Sequence, residues 1–89
     1  MELEEKKDVY RLKKDFSRLK NKKEFTKQDE DKLITDVAGL LGVYAVDKRK
    51  ETASLIEEML AFAEEKNWAV QGSRIEFDRI KKGKFRVKR

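Results

Sequence analysis

The 89-residue chain contains no cysteine and no histidine. Without thiols there is no disulfide framework and no thiolate metal ligand, and small secreted domains commonly depend on the former. A reducing intracellular compartment, cytoplasm or nucleoid, is therefore expected. The two absences also remove the commonest general base, the commonest transition-metal ligands and the activated thiol. Ser17, Ser54 and Ser73 are the only serines, and none has an imidazole to take its proton. Proline is absent too, glycine occurs four times, and no Ser/Gly-rich linker or internal repeat interrupts the chain. One domain over residues 1–89 is expected, of a size that buries roughly 60–65% of its unfolded surface.

Other signatures are missing as well. Gly39 and Gly42 are too sparse for a dinucleotide fingerprint, and Lys82-Gly83-Lys84 lacks the glycine spacing and hydroxyl of a P-loop. Asp29-Glu30-Asp31 lacks the glycine and distant glutamate of a calcium loop. The carboxylate pairs Glu57–Glu58 and Glu64–Glu65 are neighbours in sequence, so they diverge around a helix instead of forming an acid/base pair. The longest uncharged run, Val37 to Val46, is about half the roughly 20 residues of a membrane span. The charged stretch from Met1 to Asp8 does not read as a secretory signal. No enzyme, cofactor, metal or membrane partner is expected.

What the chain has in excess is charge, at 46% of residues, with a mean hydropathy of −0.88. The net charge is +5, and its distribution matters more than its size. Residues 79–89 carry Arg79, Lys81, Lys82, Lys84, Arg86, Lys88 and Arg89 with no acid, whereas the remaining 78 residues hold 16 basic and 18 acidic side chains. Two lesser basic patches are Arg11 to Lys23 and the triplet Lys48, Arg49, Lys50. If such patches converge in the fold, the molecule has a positive face.

The apolar residues are periodic, which separates the chain from a disordered polar tract. Val9, Leu12, Phe16 and Leu19 alternate spacings of three and four, the seam of an amphipathic helix over about 2–22. That seam can pack on the domain or on a second copy of the chain. Thr26 suits an N-cap, with its hydroxyl accepting the backbone N–H of Asp29. The second helix, about 27–42, gathers Leu33, Ile34, Val37, Leu40, Leu41 and Tyr44 on one face and ends near Gly42. The third, about 47–66, is capped by Asp47, presents Leu55, Ile56, Met59, Leu60, Phe62 and Ala63, and stops at Asn67.

The last quarter supports two readings. Trp68 to Val70, the turn Gln71-Gly72-Ser73 and Ile75 with Phe77 on one side fit a β-hairpin, with a second turn at Lys82-Gly83 returning through Phe85 and Val87. Ser73 and Glu76 have capping-box spacing, which fits a short helix to Lys82 stopped by Gly83. The concentration of β-branched and aromatic residues favours strands. The expected fold is mainly α with a small C-terminal β-hairpin (α+β), built on a three-helix core.

Helix, turn, helix and hairpin over residues 26–80 resemble the winged helix-turn-helix family. The likeness is carried by Val37-Ala38-Gly39-Leu40-Leu41-Gly42-Val43, with Ala38 four residues before Gly42. The family has apolar residues where this chain carries Lys48 and Glu51, so the resemblance requires a longer turn. It implies that Lys48, Arg49 and Lys50 face DNA and that basic residues around the hairpin act as wing contacts.

The charge distribution itself points to phosphates. The expected function is a regulatory nucleic-acid-binding protein, DNA favoured over RNA, using Lys48, Arg49, Lys50, Arg79, Lys81, Lys82, Lys84, Arg86, Lys88 and Arg89. A homodimer through Val9, Leu12, Phe16 and Leu19 is compatible with this. The rival reading is an adaptor or inhibitor docking through the first helix or the C-terminal strand. Trp68, Phe25, Tyr10 and Tyr44 are expected to be packing residues, Trp68 beneath the hairpin.

Overall fold

The computed structural model describes residues 2–83, with side chains from residue 9 onward. Among the described residues four helices follow one another: α1 (Glu2–Lys20), α2 (Lys27–Asp47), α3 (Lys50–Glu65) and α4 (Gln71–Lys81). The α1 seam lies on the chain's own core, with Phe16 buried and Val9, Leu12 and Leu19 partly buried against it. Of the two surfaces open to that seam, the described contact is with its own domain.

α2 opens with a capping box. Thr26 Oγ1 accepts the Asp29 N–H at 3.2 Å, and Asp29 Oδ2 accepts the Thr26 N–H at 2.9 Å. The helix does not stop at Gly42 but runs on to Asp47. A glycine costs about 1 kcal/mol relative to alanine, while one fully buried large side chain returns roughly 1.5–3 kcal/mol, so burial of Tyr44 beyond Gly42 carries the helix forward. It ends at Lys48 in the left-handed conformation (φ 54°), whose N–H donates to the Tyr44 carbonyl at 2.9 Å.

Asp47 therefore closes α2 instead of capping α3. Its Oδ1 accepts the Arg49 N–H at 3.0 Å, and Arg49 stands at the N-cap of α3 with no side-chain cap bond. Only Lys48 and Arg49 separate the two helices, so α3 folds back against α2 and buries Thr52, Leu55, Ile56, Met59, Leu60 and Ala63. Asn67 takes the left-handed stop (φ 64°) as its residue type suggests.

The expected β-hairpin does not form in the described chain, which contains no strand there; residues 71–81 are α4. Phe77 and Ile80 share the buried side of this helix, at a spacing of three, and Ile75 is left 54% exposed. A strand would have put Ile75 and Phe77 on one face. Long-range contacts decide against it: Phe77 packs tilted against Tyr44 with ring centroids 5.7 Å apart, and Arg74 reaches Glu57 and Glu64 of α3 at 3.0 Å each. The Ser73–Glu76 spacing is not the cap either, because α4 begins at Gln71 with Val70 before it. Without a hairpin above it, Trp68 is half-buried among Phe25 and Phe62 instead. The second turn and the return through Phe85 and Val87 lie outside the described residues.

α1 and α4 take opposite flanks of the α2–α3 pair. α1 meets the α2 side bearing Asp29, Lys32, Leu33 and Asp36, whereas α4 meets the side bearing Ala38, Leu41, Gly42 and Ala45. On α3, α1 lies over Leu55 and Phe62, and α4 lies over the edge formed by Glu57 and Glu64. Thr52 is the buried polar side chain of the core, and no buried side-chain nitrogen or oxygen among the described residues lacks a partner. No described helix is long and apolar enough to cross a membrane.

Candidate nucleic-acid interface

The direction of each helix decides which cations meet. Ala69 N–H donates to Glu30 near the start of α2 (3.3 Å), and the Tyr44–Phe77 ring contact lies about one turn before the end of both helices. α4 therefore runs alongside α2 in the same direction, and the two finish at the same end of the molecule. That end gathers Lys48, Arg49 and Lys50 of the α2–α3 turn with Arg79, Lys81 and Lys82 of α4.

Their environments differ. Lys48, Lys50, Arg79 and Lys82 are exposed and form no ion pair among the described residues. Arg49 is half-buried, with its Nε 3.7 Å from Asp47. Lys81 Nζ sits 3.9 Å from Asp78 and 4.6 Å over the Phe77 ring. Lys84, Arg86, Lys88 and Arg89 lie outside the described residues; in sequence they follow directly on Gly83, which stops α4 with φ 77°. The C-terminal ends of α2 and α4 bring carbonyl dipoles to this end, and the N-terminus of α3 brings one of the opposite sign to the Lys48–Lys50 turn. A neighbouring groove of 670 Å³ between α1 and the start of α3 is lined by Lys13 and Arg49 together with Asp47, Glu51 and Glu58, so its charge is mixed.

The C-terminal part of the third basic patch is elsewhere, whereas Lys13 near its start lines the groove beside Arg49. Lys22 holds Asp29 at 2.7 Å and Lys32 approaches Asp15 at 3.7 Å, which fixes the C-terminal end of α1 beside the N-terminal end of α2. α2 spans 21 residues, about 30 Å, so Lys20 to Lys23 stand at the far end from Lys48. The three patches do not share one face: Lys48–Lys50 and Arg79–Lys82 lie at the end where α2 and α4 finish, with Arg49 turned to the groove beside α1.

The exposed side of α3 is acidic, with Glu57, Glu58, Glu64 and Glu65. Arg74 lies across two of these, donating to Glu64 from Nε and from a terminal nitrogen and to Glu57 from the other, all at 3.0 Å. Its hydrogen bonds hold the Glu64 carboxyl below the ordinary glutamate range, and the same two carboxylates push the Arg74 guanidinium further up. At the opposite end of the fold, the Lys22 ammonium and the Thr26 N–H hold the Asp29 carboxyl down.

Arg74 was not legible as a clamp in the sequence. The available signal was the pair Glu57 and Glu64, seven residues apart and hence on one edge of a helix. Tyr10 also departs from expectation: Tyr44 is buried as a packing residue, but Tyr10 is 64% exposed. No group of three or more potential metal-ligating side chains occurs among the described residues. Comparison of the chain with protein-family models, with curated proteins and with solved structures finds no match.

Proposed function

We propose that the protein is a non-enzymatic nucleic-acid-binding protein that grips phosphates of duplex DNA with the end of the molecule where α2 and α4 finish. The observation that carries this is that α2 and α4 finish at the same end, which brings Lys48–Lys50 and Arg79–Lys82 to that end, from which the cations of residues 84–89 continue in sequence. Uncompensated lysine and arginine side chains held on helix ends are the element that neutralises a phosphate backbone and releases its counterions.

Local chemistry at this end supports the reading. Lys48 occupies a left-handed position that costs a side chain with Cβ about 1 kcal/mol and that glycine or asparagine fills more comfortably. Lys48, Arg49 and Lys50 also crowd the N-terminus of α3, where the dipole disfavours cations. A phosphate placed there offsets both, since it pairs with the cations and accepts from first-turn N–H groups that no side chain caps. The rings of Tyr44 and Phe77 near this end are buried, so neither is a platform for unstacked bases. The acidic outer side of α3 keeps that helix out of a major groove, so contacts stay on phosphates and sequence preference is weak.

The test is fluorescence anisotropy with a short labelled DNA duplex, with single-stranded DNA and duplex RNA titrated alongside. One variant combines Lys48→Gln, Lys50→Gln, Arg79→Gln and Lys82→Gln; a second ends after Gly83. Truncation must stop there, because Ile80 is buried in the core. Each variant is expected to lose about tenfold or more in affinity while keeping its helicity. Unchanged affinity in both contradicts the proposal, and tighter binding of RNA moves the partner from DNA to RNA.

A further inference from the structure

In a chain that is 46% charged, one exposed helix face carries no charge for most of its length. Thr35, Ala38, Gly39, Gly42 and Val46 share the outer face of α2 by helical spacing, and all are exposed, Val46 to 76%. Lys32 and Asp36, 3.3 Å apart, border this face on the α1 side. On the α4 side a groove of 690 Å³ adjoins it, lined by Ala38, Leu41, Gly42, Ala45 and Gly72, with Glu76 as the charged side chain in its lining.

The two glycines of this face have no reason within the fold. A helical glycine lowers stability relative to alanine, and it has a use where another backbone must come close. A Cβ on Gly39 or Gly42 would meet nothing within 4 Å, so no described element of this chain makes that approach. The approach is open to a body outside the chain, and Val46 stands exposed beside it.

Charge along α2 selects the body that fits. Asp29, Glu30 and Asp31 open the helix, and Lys48, Arg49 and Lys50 follow its end. A second α2 laid antiparallel, crossing near Gly39 and Gly42, sets the acidic start of each copy beside the basic turn of the other and opposes the two macrodipoles. In that register Thr35 lies opposite Val46 of the second copy. A parallel pair would set like charges and like dipole ends together.

We propose that the outer face of α2 is the contact surface of a two-fold antiparallel homodimer, self-complementary as such an interface must be. The proposal goes beyond the basic-end reading and does not depend on it. Its occupant is a second copy of this chain, seated over Gly39 and Gly42.

Sedimentation velocity of the full-length protein without nucleic acid, from about 1 μM to about 1 mM, is expected to show monomer passing into dimer. Gly39→Ala combined with Gly42→Ala is expected to raise the dissociation constant about tenfold or more, because the added methyl groups hold the helices apart. The same pair should raise the melting temperature of the monomer, measured below dimerising concentrations, since alanine is the better helix former. A loss of dimer through misfolding is thereby excluded. The chain has no cysteine, so introduced thiols report position. A mixture of Thr35→Cys and Val46→Cys proteins is expected to crosslink severalfold more under mild oxidation than either variant alone. A protein that stays monomeric throughout the range overturns the proposal, as does a dimer that the alanine pair leaves intact. Crosslinking that is stronger within a single variant overturns it too, because that is the signature of a parallel pair.

Discussion

Where α1 passes into α2 and α3 into α4, each break in the helices carries a residue suited to it: Thr26 and Asp29 form a capping box, Asn67 takes the left-handed stop, and Phe25, Phe62 and Trp68 close over the gap with centroids 5.7–5.8 Å apart. Lys66 adds its ammonium 4.7 Å over Phe25. Where α2 passes into α3 and α4 finishes, a lysine takes the left-handed stop, an arginine stands at the N-cap without a cap bond, and cations outnumber their partners. Val70 at the N-cap of α4 also lacks a side-chain cap bond, so the second end departs from the local rules in its left-handed lysine and its surplus of cations. Such departures concentrate where a surface serves something besides the fold.

The largest expected difference between the ends is in stability. Phe62→Ala removes the ring that touches Phe16, Phe25 and Trp68 and should cost about 2–3 kcal/mol in a denaturant titration. Glutamine at Lys48, Lys50, Arg79 and Lys82 should stay within about 0.5 kcal/mol per position by the same measurement. Equal losses at the two ends would erase the distinction.

Arg74 ties α4 to α3 on the well-packed side. Arg74→Gln should cost about 1 kcal/mol at neutral pH, the upper range for exposed ion pairs. Because Glu64 is held below its ordinary value in the fold, its contribution is present above the unfolded carboxylate range and is lost as pH falls through the lowered folded value. The gap between Arg74→Gln and the unaltered protein should therefore close in acid. A gap that is constant with pH would show that packing of the arginine, not its charge, matters.

The sharpest comparison exchanges the two left-handed residues. Lys48→Asn should gain about 0.5–1 kcal/mol and Asn67→Lys should lose a similar amount in thermal unfolding. Lys48→Asn should also weaken duplex binding, so that stability and affinity move in opposite directions at one position. A gain in both would remove Lys48 from the interface.

Much of the fold was legible because it is written in short-range patterns. The three-and-four spacing of Val9, Leu12, Phe16 and Leu19 identifies α1, the Thr26–Asp29 spacing marks the start of α2, and Asn67 marks a helix stop. What was not legible depends on residues far apart in sequence. Gly42 looks like a stop until Tyr44 is seen buried beyond it against Phe77. Ile75 and Phe77 fit a strand by their spacing, and Phe77 and Ile80 fit a helix; Tyr44, Glu57 and Glu64 make the choice. The cations of the site were legible as a list of residues. Their meeting was not, since it follows from α4 running in the same direction as α2, a property no local pattern carries.

The most direct measurement of the central claim is the dependence of duplex DNA affinity on salt for the full-length protein. Each phosphate neutralised contributes about −0.9 to the slope of log K against log salt, so a grip by at least four cations of the basic end predicts a slope of about −3.6 or steeper. A slope near zero, or no binding at low salt, would contradict it.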